Sequence, residues 1–183
     1  MRISLLLVLL LLATACGYHN PYLQTTEDQA AGIAEPVSIY VDIWDNRTSE
    51  MGFEAQLLQA VADWLQESKL FHLTDRESAD YIIRGIITSI NYPGASFTTQ
   101  DRVTSVQAEV TVNYSLVQRN PVKEVWTVSN MKRQSNFSVG ANAISYQNNK
   151  RDVLKTIADE LAEQIYIKTY QTFTSAGNMN KYR

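Results

Sequence analysis

Hydrophobic and polar positions change period several times along the chain, and each change predicts an element. Ile3 to Leu12 is almost wholly apolar and shows no polar face. Residues 17–35, GYHNPYLQTTEDQAAGIAE, carry no sustained period and read as a tether. Val37, Ile39, Val41 and Ile43 then recur at every second position, the pattern of a strand with one buried face, and Asp45-Asn46 ends it. In MGFEAQLLQAVADWLQES the period becomes helical. Phe53, Leu57, Val61 and Leu65 form one stripe with Leu58 and Ala62 beside it. KLFHLTD reads as a short strand. YIIRGIITSINY, with five isoleucines, reads as a central strand apolar on both faces and broken at Tyr92-Pro93-Gly94.

The clearest alternation lies in TSVQAEVTVNYSLVQ. Val106, Ala108, Val110, Val112, Tyr114 and Leu116 share one face, and Ser105, Gln107, Glu109, Thr111, Asn113 and Ser115 share the other. RNPVKE turns the chain, and VWTVSNMKRQSNF returns as the second arm of a hairpin. SVGANAISYQNN reads as a loop. A closing helix follows over residues 149–173, striped by Leu154, Ile157, Leu161 and Ile165.

Two amphipathic helices need one apolar sheet face to bury against. The expected fold is therefore α/β of the α+β type. It is a two-layer sandwich with two helices packed on one face of a mixed, mainly antiparallel sheet of four to five strands. The other sheet face is expected to carry hydroxyls, amides and a few charges. No internal repeat divides the chain. One domain over residues 36–174 and a loose tail over 175–183 are expected.

The first residues change where such a domain is expected to work. Arg2, the apolar run and Ala13-Thr14-Ala15 have the order of a secretory signal over residues 1–15. The run is much shorter than the ~20 residues of a membrane-spanning helix. Ala13-Thr14-Ala15 is an A-x-A site for ordinary cleavage. Ala-Thr-Ala-Cys also resembles a bacterial lipobox, with Ala13 where leucine is usual. Both readings cut before Cys16, the chain's one cysteine, and they differ in whether it carries lipid. A lone cysteine has no internal disulfide partner. Attachment of diacylglycerol and an N-acyl chain such as palmitate at Cys16 accounts for its position and its solitude. Several chains give stable anchoring. Gly17 follows, with no aspartate as an inner-membrane retention signal. The expected location is the periplasmic side of a Gram-negative outer membrane, with residues 16–35 as the lipidated N-terminus and tether.

Charge and candidate chemistry narrow the function. Without residues 1–15, 168 residues remain with a net charge of −4, which argues against nucleic acid as a partner. Ten tyrosines and three tryptophans suit interfaces that are wet on one side. The two histidines, His19 in the tether and His72 on a short strand, are accompanied by no catalytic triad, metal spacing or phosphate loop. The reading is a non-enzyme with no metal and no cofactor other than the lipid on Cys16. Asn46-Arg47-Thr48 fits a glycosylation sequon, and its useful property is the turn it makes between first strand and first helix. Trp44 and Trp126 suit either core packing or contact with a partner.

Several of these segments, in this order, resemble the LPS-assembly lipoprotein family, LptE. They are CGYH directly after the signal and VSIYVDIWDNRTSE running into MGFEAQLLQAVADWL. ADYIIRGIITSI with Pro93 just beyond, the long alternating strand, EVWTV and the closing IADELAEQIY follow. The resemblance covers nearly all of the chain after residue 15. It implies a two-layer sandwich that plugs the lumen of the outer-membrane β-barrel LptD. It also implies a part in assembling that barrel and in transporting lipopolysaccharide to the outer leaflet, without catalysis. Lipopolysaccharide carries phosphates, for which Arg and Lys are natural partners. The candidate residues are Arg102, Lys132, Arg133, Lys150 and Arg151. The hairpin geometry could bring Arg102 near Lys132-Arg133. The competing reading of these cations is solvated charge at strand ends. Two other functions stay open. One is a different outer-membrane lipoprotein adaptor, such as an activator docking on a periplasmic cell-wall synthase. The other is a lipid-anchored enzyme, disfavoured by the missing constellation.

Overall fold

The computed structural model of the chain describes residues 36–97 and 103–180. Cys16, His19, Arg102 and the signal and tether segments lie outside the described residues. The elements are β1 (Val37–Val41), β2 (Asp45–Asn46), α1 (Phe53–Gln66), β3 (Phe71–Leu73), β4 (Tyr81–Phe97), β5 (Val103–Gln118), β6 (Lys123–Ser138) and α2 (Ala143–Asn180).

The strands form one sheet in the order β3-β1-β4-β5-β6, with β2 also paired to β4. Helical and loop crossovers make β1 parallel to β3 and to β4, because a parallel pair cannot be closed by a tight turn. The long strands β4, β5 and β6 form an antiparallel meander. The sheet is mixed and both helices lie on one face, so the α+β two-layer class holds. Among the described residues there are six strands rather than four or five. Asp45-Asn46, expected to end the first strand, instead makes a short strand of its own against Ile86-Ile87.

The core lies between the helices and one sheet face. Ile39, Ile83, Ile87, Val110, Val112 and Leu116 meet Leu57, Val61, Leu65, Ile157, Leu161 and Ile165, all fully buried. Each such side chain stabilises the fold by roughly 1.5–3 kcal/mol relative to exposure. The predicted stripes of both helices therefore face inward. The two helices run in the same direction. Phe53 shares a cleft with Leu154, and one helix-length further on Trp64 lies 5.5 Å from Tyr166. An aromatic cluster closes the end that holds the helix C-termini. Phe173 meets Tyr81 at 4.8 Å and Phe71 at 5.9 Å.

Two expectations fail locally. Ile43 does not continue the alternation of β1. It is 64 % exposed, while Trp44 is 2 % exposed. The chain leaves β1 after Val41, shifts phase by one residue and inserts the larger ring into the core instead. The stretch 138–149 is not all loop, because α2 starts at Ala143. Asn142 caps it, its Oδ1 accepting from the Ser145 backbone N–H at 2.9 Å. At its other end α2 continues to Asn180, across much of the stretch read as a tail.

Candidate functional site

The uncovered side of the sheet is the surface that the fold leaves available. Register places residues on it by parity. Lys132 pairs with Thr111, Gln134 with Glu109 and Asn136 with Gln107, all opposite to the core-facing set. Here Lys132 Nζ lies 3.0 Å from Glu109 Oε1, and Gln134 donates to the other oxygen of the same carboxylate. The Lys132 contact, followed by the Gln134 donor, holds the Glu109 carboxyl below the usual carboxylate range. This half of the open face is polar, as the alternation of β5 predicts.

The other half differs from the expectation. Tyr40, Ile82 and Val117 lie in register across β1, β4 and β5 on the open side. A shallow depression of about 470 Å³ lies beside them, lined by Ile43, Ile86, Arg84, Ser115, Thr127 and Glu124, among others. The sequence marked β4 as apolar on both faces, and these isoleucines are the outward half of that pattern.

A second candidate region lies where both helices begin. Asn46 organises the chain entering it. Its Oδ1 accepts from the Thr48 backbone N–H at 3.0 Å, and its Nδ2 donates to Glu54 Oε2 at 2.6 Å. The predicted turn at Asn46-Arg47-Thr48 is thus an Asx turn braced by α1. The Asn46 donor, with backbone N–H groups including that of Gly52, lowers the Glu54 pKa. Glu50 then joins three elements. Its Oε1 accepts from Tyr92 Oη of β4 at 2.8 Å and lies 2.6 Å from Lys150 Nζ of α2. The two charged side chains are 19 % and 18 % exposed, so this pair is far better shielded than a surface pair. Lys150 also sits 5.2 Å from the Tyr92 ring centroid. Burial above all, together with the hydrogen bond to Glu50 and its negative charge, pushes the Tyr92 hydroxyl well above the usual tyrosine range. Beside this node a cleft of about 150 Å³ is lined by Met51, Gln56, Gln147, Lys150 and Arg151, with Gln56 Oε1 buried and unpaired.

The predicted cations do not gather into one cluster. Lys132 is on the open face and neutralised by Glu109. Arg133 pairs in register with core-facing Val110 and so points to the helix side, where its guanidinium lies 3.9 Å from Met131 Sδ. Adjacent strand residues alternate faces, so Lys132 and Arg133 cannot act on one small group. Lys150 is paired with Glu50. Arg151, exposed, borders the cleft. Arg102 lies outside the described residues. The Glu50–Tyr92–Lys150 node was missed by sequence reasoning, since its members are spread over a hundred positions and no local pattern links them. The Asn142 cap was a legible signal for the early start of α2.

Trp44 and Trp126 both pack inward. Trp126 donates from Nε1 to Thr172 Oγ1 at 3.0 Å. His72 is exposed on β3. Among the described residues no three His, Cys, Asp or Glu side chains are grouped to hold a metal ion. No described helix is long and apolar enough to cross a membrane.

Solved structures share this fold at low identity. Rare lipoprotein B from Shewanella oneidensis superposes with a TM-score of 0.53 and 14% identity, covering 73% of this chain and 97% of that one. A hypothetical protein from Chlamydia trachomatis gives 0.51 and 10%, covering 75% and 97%. Both likenesses concern the fold alone. No single curated protein matches the chain in sequence. The profile of one family does, across residues 37–169, from the first strand through most of α2. The order of elements expected from the sequence, the helices on one sheet face and this match agree: the chain belongs to LptE, the lipopolysaccharide-assembly family.

Proposed function

We propose that this protein is a lipid-anchored subunit of the outer membrane that plugs the lumen of an LptD-type β-barrel and serves lipopolysaccharide transport and assembly there. It acts by binding and not by catalysis. The observation that carries this reading, in a chain of the LptE family, is the division of the sheet. One face is sealed by two helices, and the other is open and polar over its longer half. The wall of a large barrel lumen is polar and wet. A surface of amides, hydroxyls and paired charges suits it, and the Lys132–Glu109–Gln134 set is such a surface. Cys16 is the proposed lipid attachment point on the periplasmic side, with residues 16–35 as tether. Lipopolysaccharide is the second proposed partner, through its phosphates, with Arg102 and Arg151 as the leading contacts.

The test is co-purification. Outer membranes are gently solubilised, the tagged protein is captured, and its companions are identified and quantified. A large β-barrel in equimolar amount supports the reading. A cell-wall synthase in its place, or no companion, overturns it.

A further inference from the structure

The first ten residues of α2 are held differently from the rest of the helix. From Ala143 to Asp152 no side chain is buried, and Ile144 is 73 % exposed. From Val153 onward the inward stripe is continuous through Val153, Leu154, Ile157, Ala158, Leu161, Ala162 and Ile165. Weak helix formers fill five of its first seven positions, Ile144, Ser145, Tyr146, Asn148 and Asn149. Few contacts tie it down. Lys150 reaches Glu50 and the Tyr92 ring, Tyr146 lies 5.4 Å from Phe137, and Asn149 Nδ2 donates to the Ser138 carbonyl at 2.9 Å. The chain enters this segment through Gly140, whose φ of +75° suits glycine; a Cβ there would lie 2.6 Å from Ser145 Cβ.

Segments with few buried contacts open at lower free energy than the core they join. Opening here needs no new nucleus and moves no fully buried side chain, because the helix shortens from its end; the apolar packing it gives up is that of Tyr146 on Phe137. Its main obstacle is the shielded Glu50–Lys150 pair, since opening gives up the attraction of two close, partly dry charges, which their rehydration offsets only in part.

We propose that Ala143–Asp152 is a strap that opens as a unit of its own, with Glu50, Tyr92 and Lys150 as its latch. When the strap is open, the Lys150 ammonium is released from Glu50. The Tyr92–Phe137 ring pair, 6.2 Å apart in the closed form, loses the cover of Tyr146. The device is independent of the barrel and of any ligand.

Hydrogen exchange read by mass spectrometry on the protein without residues 1–15 tests it. In the wild type, amides of residues 143–152 are expected to exchange faster than those of 157–166. In Glu50→Gln and in Lys150→Met they are expected to exchange faster again, by about tenfold or more, with 157–166 unchanged. The double variant is expected to match the single ones, because either substitution already opens the latch. Exchange over 143–152 that is unchanged in both single variants overturns the latch. Loss of protection over the whole of α2 together overturns the separate strap.

Discussion

The indole of Trp44 packs directly against Gly85. A Cβ placed on Gly85 would stand 2.6 Å from Cε3 and Cζ3 of Trp44 and 2.8 Å from the Asn113 carbonyl oxygen. Gly85 belongs to β4 and Trp44 to the segment between β1 and β2, and the ring is packed on its other sides, with Tyr114 at 6.0 Å. Gly85→Ala must therefore move a buried ring. Overpacking of this kind costs about 1–3 kcal/mol. Urea unfolding should show the unfolding free energy lowered by that amount, through a lower midpoint with the slope unchanged. An alanine variant as stable as the wild type would mean that Trp44 has room to retreat.

The same contact shows where the sequence was legible and where it was not. The stripes Phe53–Leu57–Val61–Leu65 and Leu154–Ile157–Leu161–Ile165 were readable because a helix buries a fixed angular sector, whatever it packs on. The face of β5 was readable for the corresponding reason in a strand. Ile43 was misread because periodicity records apolar character and not phase. A one-residue shift after Val41 moved burial onto Trp44, and the glycine that accommodates it lies 41 positions away. The start of α2 was misread because its first turns carry no apolar stripe and lean on Glu50, Tyr92 and Phe137, so that the Asn142 cap was the one local sign of it. The candidate cations were identifiable as residue types, but their pairing with Glu109 and Glu50 depends on tertiary neighbours.

Tyrosine ionisation should govern stability at high pH. Burial is the largest cause raising the pKa of Tyr92, Tyr114 and Tyr166 in the fold. In the unfolded chain these hydroxyls ionise near the ordinary value of about 10. Above that pH the unfolded state holds fewer protons than the folded one. The stabilisation is thus full below pH ~10 and lost as pH rises further, by up to about 1.4 kcal/mol per pH unit per tyrosine. Denaturant unfolding at pH 8, 10 and 11 should show this decline. Tyr92→Phe should decline less steeply than the wild type, and parallel curves would show that the Tyr92 hydroxyl is not held neutral.

Membrane attachment should depend on one atom, the Cys16 sulfur. Cys16→Ser leaves the apolar signal unchanged and removes the thiol that would receive diacylglycerol. The variant should move from the membrane pellet to the soluble fraction, because the acyl chains are the proposed anchor. Mass spectrometry of the wild-type N-terminus should show the added mass of the acyl chains. A variant that stays in the pellet after its partners are stripped with salt and urea, the bilayer left intact, would show another anchor.

The five candidate cations should contribute unequally to lipopolysaccharide binding. Arg151 is exposed at the helix-start end, and no carboxylate lies within ion-pair distance of it among the described residues. Its guanidinium is free to take a phosphate bidentately. Lys132 is already neutralised by Glu109 on the open face, and Arg133 points to the other side of the sheet. Arg151→Glu should weaken binding of immobilised lipopolysaccharide about tenfold, since a charge-assisted contact is worth roughly 1.5–3 kcal/mol. Lys132→Gln should change it less than twofold. The Arg151 effect should shrink as salt rises from 50 to 500 mM, because exposed charges are screened. Equal losses in the two variants would indicate a diffuse electrostatic attraction and remove Arg151 as a specific contact. An effect confined to Lys132→Gln would move the binding surface to the open face, where it would compete with the proposed barrel wall.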